Sequence, residues 1–149
     1  MIKYIKDDLF NCMNAILLHA CNCQLNWGRG VAKTMAEYYP IAYQLHKGAG
    51  FADVGTVQVI EGERTIVCLF TSKGYGRLTG NYVDPPHKIL ENTKAALESL
   101  GRVYKNRKTH IASPKINAGL FNVPWEKTEA LIEQFLKDNP NFEWDVYEK

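Results

Sequence analysis

A histidine, two cysteines, an asparagine and two glycines stand close together in His19-Ala-Cys21-Asn22-Cys23-Gln-Leu-Asn-Trp27-Gly28-Arg29-Gly30. Glycines just ahead of a helical segment let an anion approach backbone N–H groups closely. The first helical turn adds unpaired N–H groups and the positive end of its dipole. A phosphate site is the chemistry this pattern implies, although a lone G-x-G also serves as a plain strand-to-helix turn. His19 is a candidate general acid or base, because an imidazole titrating near neutrality suits proton transfer; a buried structural histidine at a strand end is the equal alternative. Cys23-x5-Arg29 also fits the loop of cysteine-dependent phosphatases, in which a thiolate attacks phosphorus and the arginine clamps the phosphate; Asp84 would then be the general acid. Gln24 to Gly28 is bulky for that role, since such a cradle needs small residues with converging amides. Cys21-x-Cys23 is too closely spaced for a zinc knuckle, and no C-x-x-C or H-x-x-x-H partner follows, so no metal is expected.

A second stretch, Pro114-Lys-Ile-Asn117-Ala-Gly119-Leu-Phe121-Asn-Val-Pro-Trp125, also lies between an apolar run and a helix start. If both stretches leave the carboxyl edge of one sheet, their N–H groups form a clamp for a diphosphate. Trp27, Phe121 or Tyr75 would then pack on a ribose or base, and Asp8, at the end of an early strand, would read the far end of the ligand. Thr71 to Gly80 is glycine-rich and carries Lys73 and Arg77, which suits a lid over the ligand or a solvated connection.

Several elements must position these groups. Ile2 to Ile5 alternates apolar and cationic residues and predicts a short strand, whereas Ile16 to Cys21 is a continuous apolar run and predicts a strand buried on both faces. Val31 to Lys47 has helical spacing with a break at Pro40. Val54 to Ile60 and Thr65 to Phe70 are β-branched runs joined through Glu61-Gly62-Glu63. Asp84-Pro85-Pro86 reads as a helix start with Asp84 as cap, followed by Leu90, Thr93, Leu97 and Leu100 on one face. Thr109 to Ser113 predicts a strand, a helix follows Pro124, and Phe142 to Tyr147 predicts a last strand. This order, ββαββαβαβ, implies an α/β sandwich with a mixed sheet and right-handed crossovers.

The 149 residues, 46% of them hydrophobic, suffice for one domain with a real core. A net charge of +2, from 18 basic and 16 acidic residues, supplies no general drive toward nucleic acid or a membrane. No 18-residue apolar run and no signal-peptide core occur. Four cysteines without a secreted-scaffold pattern fit a reducing compartment. A cytoplasmic, monomeric protein with a small-molecule partner is expected.

Five motifs in order resemble the macrodomain family: Tyr4-Ile-Lys-Asp-Asp8-Leu-Phe, His19-Ala-Cys-Asn22-Cys, Trp27-Gly28-x-Gly30-Val-Ala, Leu69-Phe-Thr-Ser and Pro114 to Trp125. The resemblance spans nearly the whole chain and is strongest to the yeast-type branch of ADP-ribose 1″-phosphate phosphatases. It implies a single macrodomain over residues 1–149, a three-layer α/β/α sandwich around a mixed central sheet. By carry-over, Asp8 would meet the adenine amine. Asn22 and the turn of Gly28, Arg29, Gly30, Val31 and Ala32 would surround the distal ribose. Ile116, Asn117, Ala118, Gly119, Leu120 and Phe121 would wrap the diphosphate, with Leu9, Ala20, Cys21 and Trp27 completing the binding set. The 1″-phosphate would lie near His19 and Asn22, which with Lys73 are the catalytic candidates.

A related branch that removes ADP-ribose from protein carboxylates uses a lysine after the corresponding strand and an aspartate in the second loop. Here Ser72 precedes Lys73 and Phe121 stands at the aspartate's place. The resemblance therefore implies hydrolysis of ADP-ribose 1″-phosphate to ADP-ribose and phosphate, without an obligatory metal or organic cofactor. ADP-ribosyl hydrolysis, a non-catalytic reader of ADP-ribosylated targets, and the cysteine-dependent phosphatase are the alternatives.

Overall fold

The computed structural model describes residues 1–74 and 83–149. Leu17 and Leu18 are adjacent yet both fully buried, so their strand is covered on both faces, as an apolar run without alternation requires. That strand, β2 (Ile16–Asn22), lies inside a six-stranded sheet with β1 (Lys3–Lys6), β3 (Val57–Glu61), β4 (Thr65–Ser72), β5 (Thr109–Ser113) and β6 (Phe142–Glu148). The spatial order is β1-β6-β5-β2-β4-β3, and every pairing is parallel except β3 with β4. The mixed sheet expected from the element order is present.

Parallel neighbours need crossovers, and helices supply them. α1 (Gly30–Tyr38) and α2 (Pro40–Lys47) follow β2; α3 (Pro86–Val103) follows β4 and α4 (Trp125–Asp138) follows β5. Side-chain alternation divides the core accordingly. Leu17, Cys21, Ile66, Cys68 and Phe70 face Met35 of α1 and Ala42 of α2. Leu18, Val67, Leu69 and Ile111 face Ala96, Leu97 and Leu100 of α3 and Ile132, Phe135 and Leu136 of α4. Burying each such side chain contributes roughly 1.5–3 kcal/mol, which holds the three layers together.

Pro40 separates α1 from α2 as expected, occupying the first turn of the second helix. β3 begins at Val57 rather than Val54, because Gly55 turns the chain at φ +80° and its missing Cβ would stand 3.0 Å from Ala95 Cβ. Asp84 is not the cap of α3. Pro85 holds that position without a side-chain bond, and the Asp84 carboxylate instead accepts from the backbone N–H of Lys73 at 3.1 Å and from Asn92 Nδ2 at 3.4 Å. Asp84 thus ties the end of β4 to the approach of α3. Asp84→Ala is expected to lower the melting temperature by about 2–6 °C, from the loss of one to two net hydrogen bonds; a thermal melt checks it.

β2 and β5 are neighbours, yet their connections leave toward opposite faces of the sheet. In α/β sheets the crevice at such a reversal, outside the carboxyl ends of the strands, is where ligands bind.

Candidate functional site

The β2–β4 register shifts between Cys21 and Asn22, and a bulge of this kind re-aims the residue after it. Asn22 is buried and its amide folds the next loop. Its Oδ1 accepts from the N–H groups of Gln24 at 3.0 Å and Asn26 at 3.2 Å, while Nδ2 donates to Asn26 O at 2.8 Å. An asparagine amide has two donor hydrogens, so one Nδ2 hydrogen is left for a ligand. Trp27 is pinned below the loop. Its N–H donates to Tyr43 Oη at 3.2 Å, and its ring stacks on Tyr43 and His46 at centroid distances of 5.1 and 4.6 Å. Gly28 follows, where a Cβ would lie 2.6 Å from Asn26 Oδ1 and so displace that amide, and Gly30 adopts φ +60°. α1 then starts without a side-chain cap, leaving the N–H groups of its first turn for a ligand.

The second loop is held from inside by Asn117. Its φ of +66° is left-handed, a region asparagine tolerates better than most residues. Its Oδ1 accepts from Thr71 Oγ1 at 2.9 Å, and its Nδ2 donates to Thr93 Oγ1 at 2.9 Å. The side chain faces the core and the backbone faces out. Val123 N donates to Asn117 O and Asn122 N to Gly119 O. Among the described residues, the N–H groups of Gly119, Leu120 and Phe121 have no acceptor.

Between the two loops lies a cleft of about 240 Å³, walled by Trp27, Val31, Ile116, Leu120 and Phe121 and edged by the two sets of N–H groups. Arg29 and Lys115 line it, and no aspartate or glutamate does among the described residues. Lys115 Nζ stands 3.4 Å from a Glu148 carboxylate oxygen, so Arg29 is the freer of the two cations. Backbone donors, cations and apolar walls together suit a ligand with phosphates and a flat apolar part.

Residues 18–132 match the Macro domain family. This chain belongs to the macrodomain family. It is 36% identical to the ADP-ribose 1″-phosphate phosphatase of Candida albicans over 95% of this chain and 97% of that one. The macrodomain of Mycobacterium tuberculosis DarG superposes with a TM-score of 0.80 at 22% identity, covering 100% and 98% of the two chains. Thermosipho africanus DarTG, solved in complex with ADP-ribose, superposes with a TM-score of 0.77 at 15% identity over 98% of this chain and 41% of that one.

Of the residues expected to bind ligand in this macrodomain, Ala20, Cys21, Asn22, Trp27, Gly28, Arg29, Gly30, Val31, Ala32, Ile116, Asn117, Gly119, Leu120 and Phe121 line the cleft, as does His19. Asp8, Leu9, Ala118 and Lys73 do not. Asp8 caps the 3-10 turn Leu9–Asn11, accepting from Phe10 N at 3.0 Å, with Lys149 Nζ 3.1 Å from its other oxygen. These two partners, the Phe10 N–H foremost, hold its pKa below the usual carboxylate value. Leu9 is buried in the core on the α1–α2 face. Ala118 turns away because its N–H closes on Lys115 O at 3.3 Å. Lys73 is exposed, and its backbone carbonyl accepts from Gln24 Nε2. Asn26, Pro114 and Lys115 line the cleft without having been expected. Asn26 and Lys115 each adjoin an expected residue and Pro114 adjoins Lys115, so the cleft takes in more of each loop than the expected residues span. The stretch Thr71 to Gly80, expected as a lid or a solvated connection, falls from Tyr75 onward outside the described residues, and with it Tyr75 and Arg77.

The cysteine-dependent phosphatase reading fails on geometry. Cys23 does not line the cleft, and burial, followed by the Asp84 and Asp53 carboxylates, pushes its thiol up to about 11. At neutral pH it is protonated, whereas the nucleophile must be a thiolate. Asp84, the acid that mechanism needs, is occupied at the base of α3. Cys23→Ser is therefore expected to keep phosphatase turnover within about twofold, well under the tenfold that 1.4 kcal/mol of barrier represents; a phosphate-release assay checks it.

Proposed function

We propose that this macrodomain binds ADP-ribose 1″-phosphate in the cleft and hydrolyses its terminal phosphate, giving ADP-ribose and inorganic phosphate. The observation that carries this reading is the convergence of two sets of free backbone N–H groups on one cleft that contains cations and, among the described residues, no carboxylate. Such a site attracts a diphosphate and a further phosphate, and preorganised N–H donors stabilise the charge that builds on phosphoryl oxygens during transfer. The Candida albicans relative, matched nearly end to end, carries this activity in its name.

In this reading the helix-start N–H groups of α1 and the spare hydrogen of Asn22 hold the terminal phosphate. Gly119 to Phe121 hold the diphosphate. His19 is proposed as the proton donor or acceptor, through Nδ1: its Nε2 lies 3.3 Å from Cys21 Sγ, and Nδ1 is buried with no hydrogen-bond partner among the described residues. Water is the nucleophile. Phe121, packed with Ile89 and Val123, leaves the second loop without the aspartate that removal of ADP-ribose from proteins would use, which favours the phosphatase over that alternative. Lys73 keeps at most a charge near the rim. The cleft is built from one chain, so the reading needs no second copy, and four free thiols suit the cytoplasm. Among the described residues no helix is long and apolar enough to cross a membrane.

The test is inorganic phosphate release from ADP-ribose 1″-phosphate by the wild type and by His19→Ala, beside calorimetric binding of ADP-ribose. Release by the wild type, with loss in His19→Ala at retained affinity, supports the reading and the role of His19. Binding without release makes the chain a reader of ADP-ribose and overturns the phosphatase.

A further inference from the structure

Two imidazoles and two thiols lie together in the otherwise apolar layer between the sheet and α1–α2. His19 and Cys21 come from β2, Cys68 from β4 and His46 from α2, and none is more than 3% exposed. The β2–β4 register sets His19 opposite Cys68, and alternation puts residues 19, 21 and 68 on one face. His19 Nε2 stands 3.3 Å from Cys21 Sγ and 3.6 Å from Cys68 Sγ. The three donor atoms all lie within 4.8 Å of one another.

The two nitrogen–sulfur spacings are close to those of a tetrahedral metal centre. Zinc bonds of about 2.3 Å to sulfur and about 2.0 Å to nitrogen set S···N edges of roughly 3.6 Å and S···S edges of roughly 3.8 Å. The donor set, two sulfurs and an imidazole with no carboxylate, is the one that soft or borderline cations prefer. His46 is a supporting group: its Nδ1 bonds to Gln58 Oε1 at 2.7 Å and lies 3.7 Å from Cys68 Sγ.

We propose that His19 Nε2, Cys21 Sγ and Cys68 Sγ bind one zinc-class divalent cation at the floor of the cleft. On binding, the Cys21 and Cys68 thiols give their protons to solvent. The cation and two thiolates then sum to zero charge, which makes a divalent ion tolerable in an apolar layer. Three protein donors leave one tetrahedral position open, the arrangement of exchangeable rather than purely structural centres. Coordination through Nε2 also fixes the His19 tautomer with its proton on Nδ1, the nitrogen that otherwise has no partner. The short Cys21-x-Cys23 spacing argues against a metal in the sequence because the true partner, Cys68, is supplied by strand pairing.

The test reads binding and does not depend on any activity. Full-length protein, reduced and stripped with a chelator, is titrated with Co²⁺. One equivalent per chain is expected to produce a thiolate-to-cobalt charge-transfer band and intense visible bands of a tetrahedral site, and Zn²⁺ should displace it. Zn²⁺ at a hundredfold excess over its Kd is expected to raise the melting temperature by about 5–10 °C, with no such rise for Mg²⁺. The charge-transfer band should vanish in Cys68→Ala and persist in Cys12→Ala, whose thiol is buried elsewhere. Absence of the band in the wild type, or its survival in Cys68→Ala, overturns the proposal. Should Cys68→Ala fail to fold, X-ray absorption of the zinc-loaded wild type decides: a shell with two sulfurs supports the site, and a shell of oxygen and nitrogen alone overturns it.

Discussion

Asn117→Ala is expected to lower the melting temperature by about 5–15 °C and to weaken ADP-ribose binding at least tenfold. Two costs add. The Thr71 and Thr93 hydroxyls lose the buried amide that joins them; Thr93 keeps its bond to Ile89 O, but leaving the buried Thr71 hydroxyl unpaired costs about 1–3 kcal/mol. Alanine must also hold a φ of +66°, which adds roughly 1 kcal/mol. At about 2–4 °C per kcal/mol for a chain of this size, the sum gives the stated range. Binding falls because the side chain is what aims the Gly119 to Phe121 N–H groups into the cleft. Asn117→Gly separates the two costs: it removes the same hydrogen bonds but tolerates the left-handed backbone, so it should recover the backbone part of the loss. Thermal unfolding and calorimetry on both variants check this. A melting temperature for Asn117→Ala within about 1 °C of the wild type would falsify the network's role.

What was legible in the sequence was whatever depends on neighbours along the chain. Ile16 to Cys21 read as a doubly buried strand because an apolar run without alternation has no other stable place in an α/β fold. Thr109–Ser113 has the bounds its β-branched pattern predicts, and Pro40 breaks the helix because it lacks the N–H that would continue it. Most of the cleft was legible for the same reason, since each wall is one uninterrupted loop after a strand. What depends on pairing between distant segments was hidden. Asp84 sits where a cap is favoured by local rules, yet the ends of β4 and α3 come close enough that its carboxylate serves Lys73 and Asn92 instead. The sequence reads His19 as a general acid or base or as a buried histidine at a strand end; that its Nε2 also faces Cys68 Sγ follows from the β2–β4 register, which no local pattern encodes. Asp8 fits the strand-end rule, but its carboxylate is taken up by the Phe10 N–H and by Lys149 at the other end of the chain.

Gly119→Val separates the site from the scaffold in the way Asn117 cannot. A Cβ built at Gly119 meets nothing within 4 Å, and the residue is exposed on the cleft wall, so valine is accommodated by the scaffold while adding bulk beside the N–H groups of this loop. The melting temperature should stay within about 2 °C of the wild type, while ADP-ribose affinity should fall at least a hundredfold, equivalent to about 2.7 kcal/mol. The magnitude follows from what glycine permits: a diphosphate can reach the N–H groups of residues 119–121 only if the backbone is bare there, and a branched side chain holds it beyond hydrogen-bond distance. Gly28 is the contrasting case. A Cβ there would stand 2.6 Å from Asn26 Oδ1, so substitution also displaces the Asn26 side chain, which lines the same cleft. Calorimetry with ADP-ribose and a thermal melt on Gly119→Val give the two readings independently. Unchanged affinity would mean that the second loop does not hold the diphosphate, and the helix start of α1 would then have to supply the phosphate contacts alone.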